Sequence, residues 1–420
     1  MTTKNIIYAQ SGGATAVINV TARALIEEAR YHPQHIDRIY AANGGITGIL
    51  TERIFDLTDT GHEDITSIEN EPGAFFGTCR FKLDDPDKNP EQYDRIVAIF
   101  KEYNIGYFFY NGGNDSQDTT NRIAKWCRKS GLDVQCIGIP KTVDNDLAGT
   151  DSCPGFGSVA KYIAISVAEV AADLVSICGS STKVFVLETM GRDAGWIAAS
   201  AGLAKQHELD SPQIILLPEV PFNKQSFLER VKYCVEKIGY CIVVASEGIK
   251  DQDGQYLTAS TVTIDSFGHQ QLGGVAPILA SITKQEFGYK YHWAVPDYLQ
   301  RAAKHIVSEN DYMQAAAVGK QAVELAMEGM RDVMVGLRRI SNDPYRWEVC
   351  ATPLTEVANA IKAMPPSYFD VATSCLTAEG HAYYAPLIHG EKYPKYVNGL
   401  MEKSSFIKQE VPQRLPLYQI

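Results

Sequence analysis

Short, almost wholly apolar runs recur along the chain, each followed by a glycine-bearing or polar turn and then by a stretch with helical periodicity. Residues 6–9 form the first such run, with a helical pattern over 16–30 and a second strand over 39–42. Helices are predicted over 93–103 and 116–130, with strands over 106–110 and 134–139. A second series gives a helix over 158–177, a strand over 183–188, a helix over 194–205, a strand over 213–217, a helix over 224–238 and a strand over 240–245. Helices over 277–287 and 312–327, a late strand over 333–338 and a helix over 356–363 within Tyr- and Pro-rich coil complete the pattern. Residues 56–88 are polar and turn-rich, as in a long insertion or a lid.

Apolar strands without alternation fit sheets buried on both faces, and their alternation with helices makes those sheets mostly parallel. The expected fold class is therefore α/β, with two Rossmann-like lobes and a ligand site in the cleft between them. Residues 1–155 would form the first lobe, completed by part of 300–350; 156–300 would form the second, and 340–420 a C-terminal extension.

The 420 residues are 45% hydrophobic and 21% charged, ordinary for a globular protein and sufficient for two domains. A net charge of -11 argues against a nucleic-acid partner but not against an anionic substrate, which responds to the local field. No basic flank precedes a long apolar segment at the start and no run approaches a membrane span, so a cytoplasmic protein without membrane contact is expected. The nine cysteines are scattered and form no CxxC pair, as befits reduced thiols rather than a zinc site.

Candidate chemistry gathers at strand ends. Gln10–Thr15 (QSGGAT) leaves small residues at a helix start, either a plain tight turn or a phosphate cradle. In Asn111–Ser116 (NGGNDS), the glycines permit close backbone approach, Asn114 and Asp115 offer oxygens to a hard cation, and Ser116 would cap the next helix. Pro140–Asp146 (PKTVDND) supplies one lysine and two carboxylates, suited to general-base work or to a simple Asx-turn. Met190-Gly191-Arg192, Glu247-Gly248 and Tyr298–Arg301 close or follow further strands; alone they carry no assignment.

Taken in order, SGG at 11–13, GTCR at 77–80, GGNDS at 112–116, PKTVDNDL at 140–147, MGR at 190–192, SEG at 246–248 and YLQR at 298–301 resemble the phosphofructokinase family. The resemblance fades beyond about residue 340. It implies phosphoryl transfer to the 1-hydroxyl of fructose 6-phosphate, with Mg²⁺, in a homodimer or homotetramer. Asp144 would be the proton acceptor, flanked by Thr142, Val143 and Asp146, with Asn114 and Asp115 at the metal. Gly12 would contact the donor and Arg80 would lie near it. Met190, Gly191, Arg192, Glu247, Tyr298 and Arg301 would bind the sugar phosphate, together with Lys183 and His292, which stand near positions where members carry arginine. Lys183, His292 and Arg301 are also candidates to act across to a neighbouring chain.

ATP-using members carry glycine at the positions of Asp115 and Lys141; pyrophosphate-using members carry Asp and Lys, as here. Asp115 would occupy the space of a nucleotide's α-phosphate, and Lys141 would add fixed charge for pyrophosphate; a surface ion pair is the plain alternative. Asn114 replaces the aspartate of many members, and a histidine at 292 lacks arginine's five-donor fork. The expected reaction is reversible transfer from pyrophosphate to fructose 6-phosphate. The alternatives are ATP as donor, sedoheptulose 7-phosphate as acceptor, or a non-catalytic regulatory subunit.

Overall fold

A computed structural model describes residues 3–258 and 272–420. The chain divides into two compact units. The first comprises Met1–Gly155, Glu309–Lys362 and Glu391–Ile420; the second comprises Phe156–Ser308 and Ala363–Gly390.

In the first unit, strands β1 (Lys4–Gln10), β2 (Ile36–Ala42), β3 (Ile54–Asp56), β4 (Ile105–Gly112) and β5 (Gln135–Pro140) join the hairpin Val333–Asn342/Tyr345–Pro353 in one seven-stranded sheet. Its centre, β5-β4-β1-β2, is parallel; β3 and the outer hairpin strand run antiparallel at the two edges. Alternate residues of a strand face opposite sides. Ile6, Tyr8, Phe109 and Ile137 accordingly pack with helices Ile18–Arg30 and Glu309–Met327, through Leu25, Ile26, Val318 and Val323. Ile7, Ala9, Phe108 and Cys136 pack on the other face with helices Pro90–Glu102 and Asn114–Lys129, through Ile96, Phe100, Ile123 and Cys127.

The second unit holds a four-stranded parallel sheet in the order β7-β8-β6-β9, with β6 Val184–Thr189, β7 Ile214–Leu216, β8 Cys241–Ser246 and β9 Tyr291–Ala294. Val184, Val186, Val243 and Ala245 meet Phe227 and Val231 of helix Lys224–Ile238 and Leu279 and Ala280 of helix Val275–Phe287. The α/β class with mostly parallel sheets is as the apolar runs predict.

Four local expectations change. The polar stretch 56–88 contains the short helix His62–Ser67, and Phe75 and Phe76 are buried in the first core. The pattern over 194–205 yields a helix only at Trp196–Ser200, followed by a 3-10 turn. Strands Tyr291–Ala294 and Tyr345–Pro353 are additional. The helix expected over 356–363 is instead Leu354–Val357. Asn359 then takes φ +63 and Ile361 bridges to Leu147, so extended pairing replaces the helix.

The last residues of the chain strap across the first unit. Phe406 sits edge-on against Phe55, Phe75 and Phe76. The Val411 N–H donates to the Ile54 carbonyl at 2.8 Å. The buried Glu52 carboxylate accepts the Tyr103 hydroxyl at 2.8 Å, the Leu415 N–H at 3.0 Å and the Arg414 N–H. Among the described residues, no helix is long and apolar enough to cross a membrane.

Candidate active site

Strand pairing aligns three of the predicted turns. Gln10 is in register with Asn111, and Gly112 with Pro140, so the ends of β1, β4 and β5 present Ser11–Gly13, Gly113–Ser116 and Lys141–Asp146 side by side. The Ser116 hydroxyl donates to Ser11 Oγ at 2.9 Å and ties the first two turns together. It is therefore not the expected helix cap: the helix already begins at Asn114, after Gly113.

Gly12 has φ +71, a conformation glycine adopts at little cost. A Cβ built there would lie 3.3 Å from Lys141 Nζ, so the buried ammonium faces the bare backbone of the first turn. The Gly12 N–H donates to the Cys79 carbonyl at 3.1 Å, and the Thr78 hydroxyl donates to the Gly12 carbonyl at 2.8 Å. This brings the GTCR segment, with exposed Arg80, onto the turn. Lys82, two residues beyond the GTCR segment, pairs with Asp115 at 3.3 Å.

The third turn is organised from within. The Thr142 hydroxyl accepts the Asp144 N–H at 3.0 Å, Val143 is buried, and Asn145 holds φ +55. Asp144 is partly exposed. Asp146 accepts a hydrogen bond from Asn114 Nδ2 at 3.2 Å. Burial raises its pKa, opposed by Lys362, the Asn114 bond and Lys141.

In the second unit, Met190–Arg192 leaves the end of β6. Gly191 has φ +127, its carbonyl accepts the Ser246 hydroxyl, and the Met190 N–H donates to Gln300 Oε1 at 3.1 Å. The Glu247 N–H donates to the Thr189 carbonyl at 2.9 Å. A Cβ at Gly248 would stand 1.8 Å from the Arg192 carbonyl, so only glycine permits this approach. Tyr298 and Arg301 occupy the short helix Tyr298–Ala302, with the guanidinium 3.8 Å from the Tyr298 ring centroid. These residues share the carboxyl end of the sheet. Lys183 and His292 do not join them. Lys183 precedes β6 and its ammonium donates to the Cys178 carbonyl; His292 is in register with Phe185. At about 3.3 Å per residue, both stand most of a strand length away from Arg192.

The phosphofructokinase family profile matches residues 5–326, which span every one of these turns. The chain belongs to the phosphofructokinase family. It is 48% identical over 420 residues, all of both chains, to a protein of Halomonas elongata named pyrophosphate–fructose 6-phosphate 1-phosphotransferase. A protein of Methylococcus capsulatus with the same name is 49% identical over 418 residues, 99% of each chain. Among solved structures, the pyrophosphate-dependent phosphofructokinase of Marinobacter aquaeolei superposes with a TM-score of 0.91 at 46% identity, covering 99% of this chain and 100% of the other.

Within this phosphofructokinase, no group of three or more His, Cys, Asp or Glu side chains stands ready to hold a metal among the described residues. One observation nevertheless fits Mg²⁺. Asn114 Oδ1 is buried without a hydrogen-bond partner, and its own amide is bonded to Asp146. A buried acceptor left open beside a carboxylate suits an ion that keeps several waters and completes its shell with substrate phosphates. No sequence motif marks Lys82, the contact of Gln300 with Met190, or Lys362. Each acts on a residue far away in the chain, a relation that no local motif carries.

Proposed function

We propose that the chain transfers a phosphoryl group reversibly from pyrophosphate to the 1-hydroxyl of fructose 6-phosphate, giving fructose 1,6-bisphosphate and phosphate. The observation that carries this reading is the buried Lys141 ammonium set against the side-chain-free backbone of Gly12, on a strand end adjoining the turn with Asp115. Full-length relatives named for pyrophosphate support the same donor rather than ATP.

On this reading Asp144 takes the proton from the sugar's 1-hydroxyl as that oxygen attacks phosphorus, with Thr142 and Val143 shaping its turn. Lys141, Gly12 and Arg80 bind the donor, and Asp115 occupies the space that the rest of a nucleotide would need. A fixed cation at a developing phosphoryl charge contributes about 3–4 kcal/mol. Asn114, with Asp115 and Asp146 at hand, would hold Mg²⁺, which would supply positive charge to the phosphate oxygens. Met190, Gly191, Arg192, Glu247, Tyr298 and Arg301 bind fructose 6-phosphate. Lys183 and His292, away from that group in their own chain, would serve a second copy in a homodimer or homotetramer.

Initial rates with Mg²⁺ and fructose 6-phosphate, pyrophosphate against ATP, test the proposal. Bisphosphate formation with pyrophosphate alone is expected. Turnover with ATP alone would overturn the donor reading, and silence with both donors would overturn the acceptor as well.

A further inference from the structure

The residue that braces the Asp144 turn lies outside the stretch 5–326 matched by the family profile. The strand Tyr345–Pro353 and the short helix Leu354–Val357 lead into residues 358–362, which run along the turn. Leu354 and Val357 pack with Leu147 and Cys153, Ile361 bridges to Leu147, and the Lys362 N–H donates to the Asp146 carbonyl at 2.7 Å. The Lys362 ammonium then donates to Asn145 Oδ1 at 3.1 Å, the Thr150 carbonyl at 3.1 Å and the Asp151 carbonyl at 2.7 Å. An ammonium has three protons to donate, and here there are three oxygens to receive them.

The acceptors are informative. Asn145 separates the two carboxylates Asp144 and Asp146 and has φ +55, a conformation that needs outside support in a residue other than glycine. Its side-chain oxygen also accepts the Cys153 N–H at 3.1 Å. Lys362 thus joins the two arms of the loop 145–151 through one point, at the residue between base and metal-side carboxylate. Burial lowers the Lys362 pKa, while Cys153, Asp151 and Asp146 favour its charged form.

We propose that Lys362 is a positioning residue for phosphoryl transfer, holding Asn145 in its left-handed conformation so that Asp144 and Asp146 point at their separate tasks. The proposal rests on the reading of Asp144 as the base. It gives the segment beyond the family profile a direct part in the reaction geometry. Misplacement of a reacting group by about 1 Å costs about 10²-fold in rate.

The test compares Lys362→Met with Asp144→Asn in the full-length enzyme, using Mg²⁺, pyrophosphate and fructose 6-phosphate. For Lys362→Met, kcat is expected to fall about 10²-fold while the KM for fructose 6-phosphate moves less than about threefold. In Lys362→Ala, n-propylammonium is expected to restore part of kcat saturably, and tetramethylammonium, which has no proton to donate, to restore none. A folded Lys362→Met with kcat within about twofold of the parent would overturn the proposal, as would an amine that raises the melting temperature without raising kcat. If neither lysine variant folds, Asn145→Ala removes the linking oxygen at a φ of +55 that alanine disfavours; a loss of kcat of about tenfold or more supports the proposal and an unchanged kcat overturns it. Asp144→Asn at the parental rate would sink the base assignment itself. Inactive Asp144→Asn beside fully active Lys362→Met would sink only the role of Lys362.

Discussion

The two sheets use one device, polar turns at the carboxyl ends of parallel strands, but they support those turns differently. In the seven-stranded sheet the Asp144 turn is held from a distance, by a lysine 217 positions away, and the Gly12 turn by residues 78 and 79. In the four-stranded sheet the Met190–Arg192 turn leans on its neighbours at the same sheet end: Ser246 from β8 and Gln300 from the helix after β9. The first arrangement fixes the proposed base and its neighbouring carboxylate, where small angular errors would be costly. The second shapes a backbone cradle, in which carbonyl and N–H positions follow from the sheet itself.

The largest expected effect lies on the first side of that comparison. Asp144→Asn should lower kcat by about 10²–10⁴ with little change in melting temperature, because a partly exposed carboxylate is replaced by a near-isostere. Steady-state rates and a thermal melt decide this; a variant that loses its fold along with its activity would recast Asp144 as a support.

Gln300→Ala addresses the second side. It leaves the Met190 N–H without the Gln300 acceptor, at a cost of about 1–3 kcal/mol, and should raise the KM for fructose 6-phosphate about tenfold while leaving that for pyrophosphate near parental. Equal changes in the two constants would blur the distinction between the units.

Glu188 gives the smallest and most specific test. Its carboxylate, at the end of β6, accepts the Gly274 N–H at 2.9 Å and the Ala276 N–H at 2.8 Å and so fixes the start of helix Val275–Phe287. Burial raises its pKa above the ordinary 4.5, against those backbone bonds. The folded state therefore retains a proton that the unfolded chain releases first. Stability from this group is full below 4.5 and declines as pH rises through the folded value. Glu188→Gln cannot ionise, so the stability of the parent relative to this variant should decline from acid to neutral pH in urea titrations. A difference that is flat with pH would mean that the carboxyl is no harder to ionise folded than unfolded.

Much of this was legible in the sequence because strand ends announce themselves. Ile6, Ile7 and Ala9 before Gly12, or Ile137 and Ile139 before Lys141 and Asp144, set an apolar run directly against chemistry. The strand Tyr291–Ala294 was not legible: it has four residues at a sheet edge, and His292 and Trp293 are exposed, so no apolar run marks it. Residues 356–363 read as helical by composition, but Asn359 turns the chain and Ile361 finds a bridge partner at Leu147. Tertiary pairing overrides propensity there. Strand register places Lys183 and His292 toward the amino end of β6, a position in the sheet that alignment with family arginines does not show.

The distance between Asn145 and Lys362 also has a meaning in time. A ribosome adds about 5–20 residues per second, so the 217 positions between them take on the order of ten to forty seconds to make. Throughout that interval the nascent chain already carries the whole Asp144 turn but not the lysine that bonds to it. The last segment of the first unit, Glu391–Ile420, emerges later still. If Lys362 positions the Asp144 turn as proposed, that geometry is reached only after residue 362 has been made.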